Sequence, residues 1–283
     1  MGKIGVVISG GAAKIGFGAG AFAALWRRGV HPEVFVGDSA GALTLMIHPE
    51  KIQAVLADVS QKDIYRLNWR LLWKGLKADS IYSTRPLAKF LRENADLAWL
   101  RGANGQPSSR RFFFGYTDML KGTEHYATEK WDPVHAGLIS SAIPGFFPAH
   151  RVEVAGRWED RADGGIMSNT PVRKALEEGC TRIFVILSTP IAPRPVRGPI
   201  TGIVSRLART MDLMRHALTV QDIQTCAAER RRGVRIVLIH PNGPLHADGL
   251  DFKGGEIQKD FLTGAGQVRR FGNKELGLPP AKE

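Results

Sequence analysis

The apolar residues of this chain fall into short continuous runs separated by amphipathic stretches, a pattern typical of α/β proteins whose parallel strands are buried on both faces. The first two runs are Lys3–Ile8 and residues 34–36, and each leads directly into a glycine-rich turn. Between them, small residues up to about Arg28 predict a helix with Gly29 as its cap. Because parallel strands end at the same edge of a sheet, the two turns are expected to meet there.

The same alternation continues through the rest of the chain. Strands are predicted at residues 111–117, 124–129, 183–188 and 234–240, a short hairpin around Gly156, a mobile loop at 101–110, and helices after Pro86 and from about 203 to 218. A chain of 283 residues buries roughly three quarters of its unfolded surface, which is enough for one large domain. We therefore expect one domain over residues 1–283, with a helical, cap-like segment at 48–110 and a loose tail at about 274–283.

The stretch from residue 48 to about residue 92 has a helical pattern with two stripes along it. The basic stripe repeats every four residues and consists of Lys62, Arg66, Arg70 and Lys74; the adjoining aromatic and apolar stripe consists of Tyr65, Trp69, Leu72, Trp73 and Leu76. Rings beside basic groups suit a helix in a lipid headgroup layer. A helix that packs its rings on the core and leaves its charges in water explains the same pattern, so both interpretations stay open.

The charge balance favours an anionic partner. The chain has 39 Lys and Arg against 27 Asp and Glu, a formal net charge of +12, and residues 190–235 hold nine Arg against three acids. Such an excess attracts a lipid surface or a nucleic acid. Solvated surface charge explains any single arginine equally well.

Composition also narrows the setting. Cys180 and Cys226 allow at most one disulfide, so a reduced, cytoplasmic setting is expected. The apolar run at residues 4–8 is too short for a signal-peptide core, and no run approaches the eighteen residues of a membrane span. We see no metal-binding spacing such as C-x-x-C or H-E-x-x-H, and we expect no cofactor.

The turn after the second strand carries the first candidate chemistry. It is Gly37-Asp38-Ser39-Ala40-Gly41, the pattern of a nucleophile elbow, in which glycines permit a backbone too crowded for a Cβ and the serine stands clear of both flanking elements. A serine there lies at the positive end of a helix dipole, which favours an alkoxide or oxyanion. An ordinary glycine-rich turn from strand to helix explains these five residues equally well.

A dinucleotide-binding fingerprint is an alternative for the first turn. Its core would be Gly16-Phe17-Gly18 followed by Ala21, with Asp38 on the ribose. Such a fingerprint begins directly after its strand, whereas residues 9–15 intervene here, and this interpretation leaves the turn around Ser39 without a role.

Three separated motifs follow one another along the chain: Gly10-Gly11-Ala12-Ala13-Lys14, the elbow around Ser39, and Asp163-Gly164-Gly165. Residues 142–148, with the sequence AIPGFFP, and Asn169-Thr170-Pro171 add to the pattern. In this order the motifs resemble the patatin-like phospholipases, and the resemblance covers most of the chain. It implies a three-layer α/β/α fold with a central, mostly parallel sheet.

The resemblance also implies a serine lipid acyl hydrolase that works through an acyl-enzyme, of the phospholipase A, lysophospholipase or carboxylesterase type. Ser39 matches the nucleophile and Asp163 the base of a Ser-Asp dyad. The first loop matches the oxyanion hole, with donors among Gly10, Gly11 and Ala12, and Lys14 matches a basic residue that positions this loop or meets a phosphate. The implied partners are a lipid or ester substrate and an anionic membrane surface rather than nucleic acid.

Two residues depart from the family pattern. Ala12 stands where the family usually has a third glycine, and Ile15 where a glycine usually follows the basic residue. If the first position needs a positive φ, Ala12 carries a cost of roughly 1 kcal/mol or more. If the loop shifts by one residue, Gly16 takes over the second role.

Two alternative functions remain at this point. An α/β-hydrolase-type esterase would use a full triad of Ser39, Asp163 and either His240 or His246, although its elbow comes later in the chain than residue 39. A non-catalytic, basic protein that binds lipid or nucleic acid on the same fold is favoured by the changes at Ala12 and Ile15 and disfavoured by the intact Ser39 and Asp163. The sequence predicts neither the lipid headgroup and acyl chain nor the oligomeric state.

Overall fold

The computed structural model describes residues 2–103, 106–192, 195–196, 198–247 and 249–279, and buried apolar runs form the central strands of its sheet. The strands are β1 (Lys3–Ile8), β2 (Val34–Asp38), β3 (Arg66–Leu67), β4 (Tyr82–Ser83), β5 (Arg111–Asp118), β6 (Thr123–Thr128), β7 (His150–Val154), β8 (Arg157–Asp163), β9 (Cys180–Ile186) and β10 (Arg235–Ile239). Residues 104–105 of the predicted mobile loop and residues 280–283 of the predicted tail lie outside the described residues.

Amphipathic stretches form the helices that cover the sheet. These are α1 (Ile15–Arg27), α2 (Ala40–Leu45), α3 (Ile52–Ala57), α4 (Gln61–Ile64), α5 (Leu71–Lys74), α6 (Arg85–Asn94), α7 (Leu97–Arg101), α8 (Pro133–Ser140), α9 (Val172–Glu177), α10 (Ile203–Arg231), α11 (Gly254–Arg269) and α12 (Asn273–Leu276). Short 3₁₀ turns occur at Ala12–Lys14, Gly75–Lys77 and Gly164–Ile166. Within the described residues, no helix combines the length and the hydropathy needed to cross a membrane.

The main sheet has the strand order β10-β9-β1-β2-β5-β8-β7, and β6 also pairs with β5. Strands β10, β9, β1, β2 and β5 run parallel to one another, whereas β6 and β8 pair antiparallel with β5, and β7 pairs antiparallel with β8. Alternate residues of the strands enter two separate hydrophobic clusters: Val6 and Ile8 pack with α1 and α11, and Val7 packs with α9 and α10. The predicted three-layer α/β/α fold with a mostly parallel sheet is therefore confirmed.

Most predicted strands and helices are confirmed within a few residues. The first helix ends at Arg27 and Gly29 follows it with a φ of +83°. The hairpin between β7 and β8 turns at Ala155 and Gly156, which both have a positive φ. The helix predicted to end at about residue 218 continues to Arg231, because its second half packs on the sheet through buried residues such as Cys226.

Helices α1 and α11 pack with their backbones in direct contact. A Cβ on Gly16 would overlap the carbonyl oxygen of Ile257, and a Cβ on Gly20 would overlap that of Phe261. From the other side, a Cβ on Gly264 would overlap the carbonyl oxygen of Phe17. The small residues of α1 therefore allow the two helices to pack this closely.

The prediction of a continuous helical pattern from residue 48 to about 92 is wrong. Between α4 and α6 the chain forms the short antiparallel pair β3–β4, and Gly75 adopts a positive φ of +50°. The break occurs at Tyr65, which is extended, buries its ring against Tyr82 and Phe147, and donates a hydrogen bond of 2.7 Å from its hydroxyl to the carbonyl of Leu250. Packing against remote residues thus overrides the local helical period.

This break also decides where the two stripes lie. Of the aromatic stripe, Tyr65 is in the core, whereas Trp69 is 61% and Trp73 is 81% exposed. The interpretation that packs both tryptophans on the core is therefore wrong. The side chains of Leu72 and Leu76 lie outside the described part of the structure. Arg66, Arg70 and Lys74 are exposed near the tryptophans in the chain, although they do not share one helical face.

Candidate active site

Ser39 occupies the sharp turn between β2 and α2. Its φ is 52° and its ψ is −123°, a strained conformation for a residue with a side chain. The flanking glycines have no room for side chains, since a Cβ on Gly37 would lie 2.7 Å from the carbonyl carbon of Gly41 and one on Gly41 would overlap the carbonyl oxygen of Ile8. The turn therefore has the backbone geometry of a nucleophile elbow.

A second serine holds this turn in place. The backbone N–H of Ser39 donates a hydrogen bond of 3.0 Å to Oγ of Ser140, which lies at the end of α8 and is buried. The sequence did not indicate this contact, although Ser140 lies two residues before the family-like segment at 142–148. We infer that the hydroxyl of Ser140 helps to keep Ser39 in its strained conformation.

Replacing Ser140 by alanine is expected to lower the free energy of unfolding by about 1–3 kcal/mol, because it leaves the buried N–H of Ser39 without an acceptor. Chemical denaturation of the wild-type and variant proteins measures this difference. The matched control is Ser141→Ala, whose hydroxyl donates only to the carbonyl of Gly137 within α8. Equal stability of the two variants would contradict the special role of Ser140.

Strand topology brings Asp163 to Ser39. Tyr116 of β5 pairs with His125 of β6 on one edge and with Asp163 of β8 on the other, while the preceding Gly115 pairs on that second edge with Asp38 of β2. Strands β2 and β8 thus meet end to end along the same edge of β5. As a result, the last residue of β8 lies directly beyond the end of β2, next to the elbow.

The carboxyl group of Asp163 is buried beside the hydroxyl of Ser39. Its Oδ1 accepts a hydrogen bond of 2.8 Å from the N–H of Gly165. Oδ2 has no partner of normal hydrogen-bond geometry among the described residues, yet the Ser39 hydroxyl is close enough to stabilise the carboxylate. The contact between the two side chains is therefore present but looser than a standard hydrogen bond.

Burial sets the protonation of this region. It raises the pKa of Asp163, while the guanidinium of Arg215, the hydroxyl of Ser39 and the N–H of Gly165 act in the opposite direction. Burial also raises the pKa of the neighbouring Asp38 well above its ordinary value, and the carboxyl groups of Glu124, Asp163 and Asp222 add to that shift. Burial and the neighbouring carboxyl groups thus disfavour the ionised form of Asp38, whereas Asp163 has partners that stabilise its ionised form.

Among the described residues, the glycine-rich loop has two backbone N–H groups with a protein acceptor and two without one. The N–H of Gly10 donates to the carbonyl of Asn169 at 3.1 Å, and that of Ala13 donates to the carbonyl of Gly249 at 3.2 Å. The N–H groups of Gly11 and Ala12 have no protein acceptor within the described ranges. Gly10 is thus already engaged, which corrects its prediction as an oxyanion donor and leaves Gly11 and Ala12 as the candidates.

Ala12 adopts the positive φ that its position was suspected to need. The φ is 49°, so the methyl group carries the expected strain of about 1–2 kcal/mol. Ile15 and Gly16 lie inside α1, where Gly16 faces α11, so the alternative in which the loop shifts onto Gly16 does not apply. Lys14 ends the 3₁₀ turn of this loop and is half-buried.

The structure also contradicts the dinucleotide fingerprint. Gly16 and Gly18 lie within a helix rather than in a phosphate-binding turn, and Asp38 is completely buried. A ribose has no access to its carboxyl group.

An apolar pocket opens beside Ser39. It is narrow, and its lining is apolar apart from Ser39 and Ser141. Ala12 of the loop and Ile15 of α1 line one part, and Leu87 and Phe90 of α6 line another. The segment at residues 48–110 therefore supplies part of the wall, and the apolar lining matches the chemistry of a hydrocarbon chain.

The two candidate histidines have other partners. Nδ1 of His246 lies 2.9 Å from Oδ1 of Asp260, a buried residue of α11 that also accepts the backbone N–H groups of His246 and Ala247. Nδ1 of His240 contacts the carbonyl of Pro241. In the described part of the chain, neither histidine contacts Ser39 or Asp163, and no cluster of His, Cys, Asp and Glu is suited to a metal ion. Cys180 and Cys226 are both buried and free.

Comparison with known proteins gives one family. The family model for "Patatin-like phospholipase" matches residues 6–176, which include the glycine-rich loop, the elbow and Asp163. Among solved structures, the chain is similar to the crystal structure of VipD from Legionella pneumophila, with 14% sequence identity, 97% of this chain and 67% of that chain covered, and a TM-score of 0.46. A comparison with curated proteins gives no match.

Proposed function

Because the chain belongs to the patatin-like phospholipase family, we propose that it is a serine hydrolase that cleaves the acyl esters of lipids through Ser39 and Asp163. The observation that carries the proposal is the position of Ser39, whose hydroxyl lies beside a buried carboxyl group and which lines an apolar pocket. A nucleophile, a base and a site for an acyl chain thus occur together.

The proposed reaction has two steps. Asp163 takes the proton of the Ser39 hydroxyl as the oxygen attacks the ester carbonyl, and the N–H groups of Gly11 and Ala12 stabilise the negative charge on the carbonyl oxygen. The alcohol then leaves with the proton from Asp163, and the acyl group remains on Ser39. A water molecule gives its proton to Asp163 and attacks the carbonyl of the acyl-enzyme. The bond between the acyl group and Oγ of Ser39 then breaks, Ser39 takes the proton back from Asp163, and the carboxylic acid is released.

Burial makes a carboxylate a better base for this reaction. An ordinary aspartate has too low a pKa to take a proton from a serine efficiently, and burial raises the pKa of Asp163 toward neutrality. The base works in its ionised form. Activity is therefore expected to rise with pH through the elevated pKa of Asp163.

The proposal is tested by hydrolysis of esters that share a reporter group and differ in acyl length. Because the pocket is apolar, kcat/KM is expected to increase with each added methylene until the pocket is full, by at most about fourfold per methylene. A flat dependence on chain length would contradict acyl binding in this pocket. Absence of hydrolysis of every ester would contradict the proposed function itself.

We also propose that the enzyme works at an anionic membrane surface. The exposed Trp69 and Trp73 and the basic Arg66, Arg70 and Lys74, together called the basic-aromatic surface, support this. The ring of Phe90 connects this surface to the acyl pocket, since it lines both that pocket and a groove that contains Arg66. A lipid drawn to the surface is thus close to the pocket.

Reversing two charges, Arg66→Glu and Arg70→Glu, is expected to weaken binding to anionic vesicles by more than tenfold, since each basic residue contributes on the order of 1 kcal/mol. Co-sedimentation with vesicles at several salt concentrations measures the effect. Hydrolysis of a soluble ester is expected to change little, because neither residue lies in the elbow or the glycine-rich loop.

The matched control reverses Arg269 and Arg270, which are exposed at the end of α11. The guanidinium of Arg28, at the end of α1, donates hydrogen bonds to the carbonyls of Val268 and Phe271. The two control arginines therefore lie near the end of the strands that is opposite to Ser39. Equal loss of vesicle binding in both double variants would point to net charge and contradict a localised surface.

A further inference from the structure

One face of α10 packs along the loop that follows β8. The side-chain amide of Asn169 donates to Oγ1 of Thr219 at 3.1 Å, and the backbone N–H of Thr170 donates to Oδ2 of Asp222 at 3.0 Å. Residues three and four apart lie on the same helical face, so Arg215 extends this face by one turn beyond Thr219. The contacts of α10 therefore direct Arg215 to the start of the loop, where Asp163 lies.

The side chains of Arg215 and Asp163 border the same glycine. A Cβ built on Gly165 would lie 3.0 Å from Oδ1 of Asp163 and 3.9 Å from Cδ of Arg215. Burial raises the pKa of Asp163, and Arg215 has the largest effect of the groups that lower it. The positive charge of Arg215 is thus close enough to act on the proposed base.

Arg215 has no protein partner that satisfies its charge. Within the described ranges, its guanidinium forms neither a hydrogen bond nor an ion pair closer than 4 Å, and its side chain is half-buried. A guanidinium presents a planar fork of donors that matches the oxygens of a phosphate, and it remains charged at any physiological pH. A half-buried arginine without a partner beside a reaction centre therefore has donors left for a ligand.

The position of Arg215 relative to the pocket indicates which part of a ligand it meets. Asp163, Gly165 and Arg215 do not line the apolar pocket, whereas Ser39 does. When an acyl chain occupies the pocket, the alcohol part of the ester lies outside it, as do Asp163 and Arg215.

From this geometry we propose that Arg215 is a specificity-determining residue that binds the phosphate of a phosphate-bearing acyl ester while Ser39 attacks the acyl carbonyl. The inference rests on the proposed function of Ser39. It adds a preference among substrates, for esters whose alcohol part carries a phosphate over neutral esters with the same acyl chain.

The test compares three octanoyl esters at concentrations below aggregation: 1-octanoylglycerol-3-phosphate, 1-octanoylglycerol and p-nitrophenyl octanoate. Arg215→Gln is expected to lower kcat/KM for the phosphate ester by about 10- to 100-fold, the value of a lost charge-assisted hydrogen bond, and for the two neutral esters by less than about threefold. Arg215→Lys, which keeps the charge but not the planar fork, is expected to fall between these values.

The matched control is Arg206→Gln. Arg206 lies on the same helix, nine residues away and thus on the opposite face, and it is exposed. This variant removes the same charge as Arg215→Gln, and it is expected to leave the ratio of kcat/KM between the phosphate ester and the neutral esters unchanged. An equal change of that ratio in both variants would overturn the proposal.

Two further outcomes would overturn it. One is an equal loss for all three esters together with a shifted pH–rate profile, since Arg215 would then act only through Asp163. The other is an unchanged ratio in a variant with a normal melting temperature. Binding of the ether analogue 1-O-octylglycerol-3-phosphate, measured by calorimetry beside 1-O-octylglycerol, separates this inference from the proposed function: phosphate binding that depends on Arg215 supports it even if no ester is hydrolysed.

Discussion

Ser39→Ala is expected to hydrolyse p-nitrophenyl esters about 10⁴-fold more slowly than the wild-type chain, because it removes the only atom proposed to bond covalently to the acyl group. The remaining rate would come from the oxyanion donors and the pocket, which the substitution leaves in place. The measurement is kcat/KM for a short-chain ester, beside a melting curve that shows a folded variant.

Covalent labelling provides the independent control for Ser39. An organophosphonate ester is expected to form its adduct on the peptide that contains Ser39, since the elbow and the pocket meet there. Mass spectrometry locates the adduct. Equally strong labelling of another serine in Ser39→Ala would show that Ser39 is not the nucleophile.

The second large effect is expected at Asp163. Asp163→Asn keeps the shape of the side chain and an oxygen for the N–H of Gly165, but it removes the base, so nearly all activity is expected to disappear while the fold remains. In the wild-type chain, log kcat/KM is expected to fall as the pH drops through the raised pKa of Asp163, where the carboxylate becomes protonated. A pH–rate profile whose acidic limb lies at the value of an ordinary aspartate would contradict this role.

Two histidine variants complete this test. His240→Ala and His246→Ala are each expected to keep activity within about tenfold, because neither ring contacts Ser39 or Asp163 in the described structure, whereas losing a triad member costs roughly 10⁴-fold. His246→Ala is expected to lower stability instead, since its ring contacts the buried Asp260. A folded histidine variant as inactive as Asp163→Asn would favour the triad.

The sequence predicts the local parts of this molecule well. Strand β1, the turn at Ser39 and helix α1 each depend on residues that are close together in the chain, such as the glycines on both sides of Ser39. The geometry of Asp163 depends on the pairing of three strands. No local pattern indicates that β8 runs antiparallel to β5 and stops where β2 ends. The Asp-Gly-Gly motif therefore identifies Asp163 but does not explain its position.

The incorrect and missing predictions have the same origin, since they depend on contacts between residues that are far apart in the chain. A basic residue at every fourth position predicts a helix through residues 62–74, but the buried ring of Tyr65 is held by Leu250 and Phe147, which lie far away in the chain. The apolar positions of α10 predict a helix, but they do not say which face packs beside Asp163, and so Arg215 could not be singled out. Ala12 is the exception, since its departure from the family pattern already pointed to a positive φ.

The backbone contact between α1 and α11 has a consequence for how the chain folds as it is made. Helix α1 ends at Arg27, and α11 begins at Gly254, beyond the end of the family match at residue 176. At a synthesis rate of about 5–20 residues per second, α11 is synthesised roughly 10–45 s after α1. During that time the glycine-lined face of α1 is not covered by α11. Because the contact between the two helices joins residues distant in sequence, it is expected to form late and slowly. The elbow lies next to α1 in the chain, so the proposed active site is complete only after a segment that contains none of its proposed catalytic residues has left the ribosome.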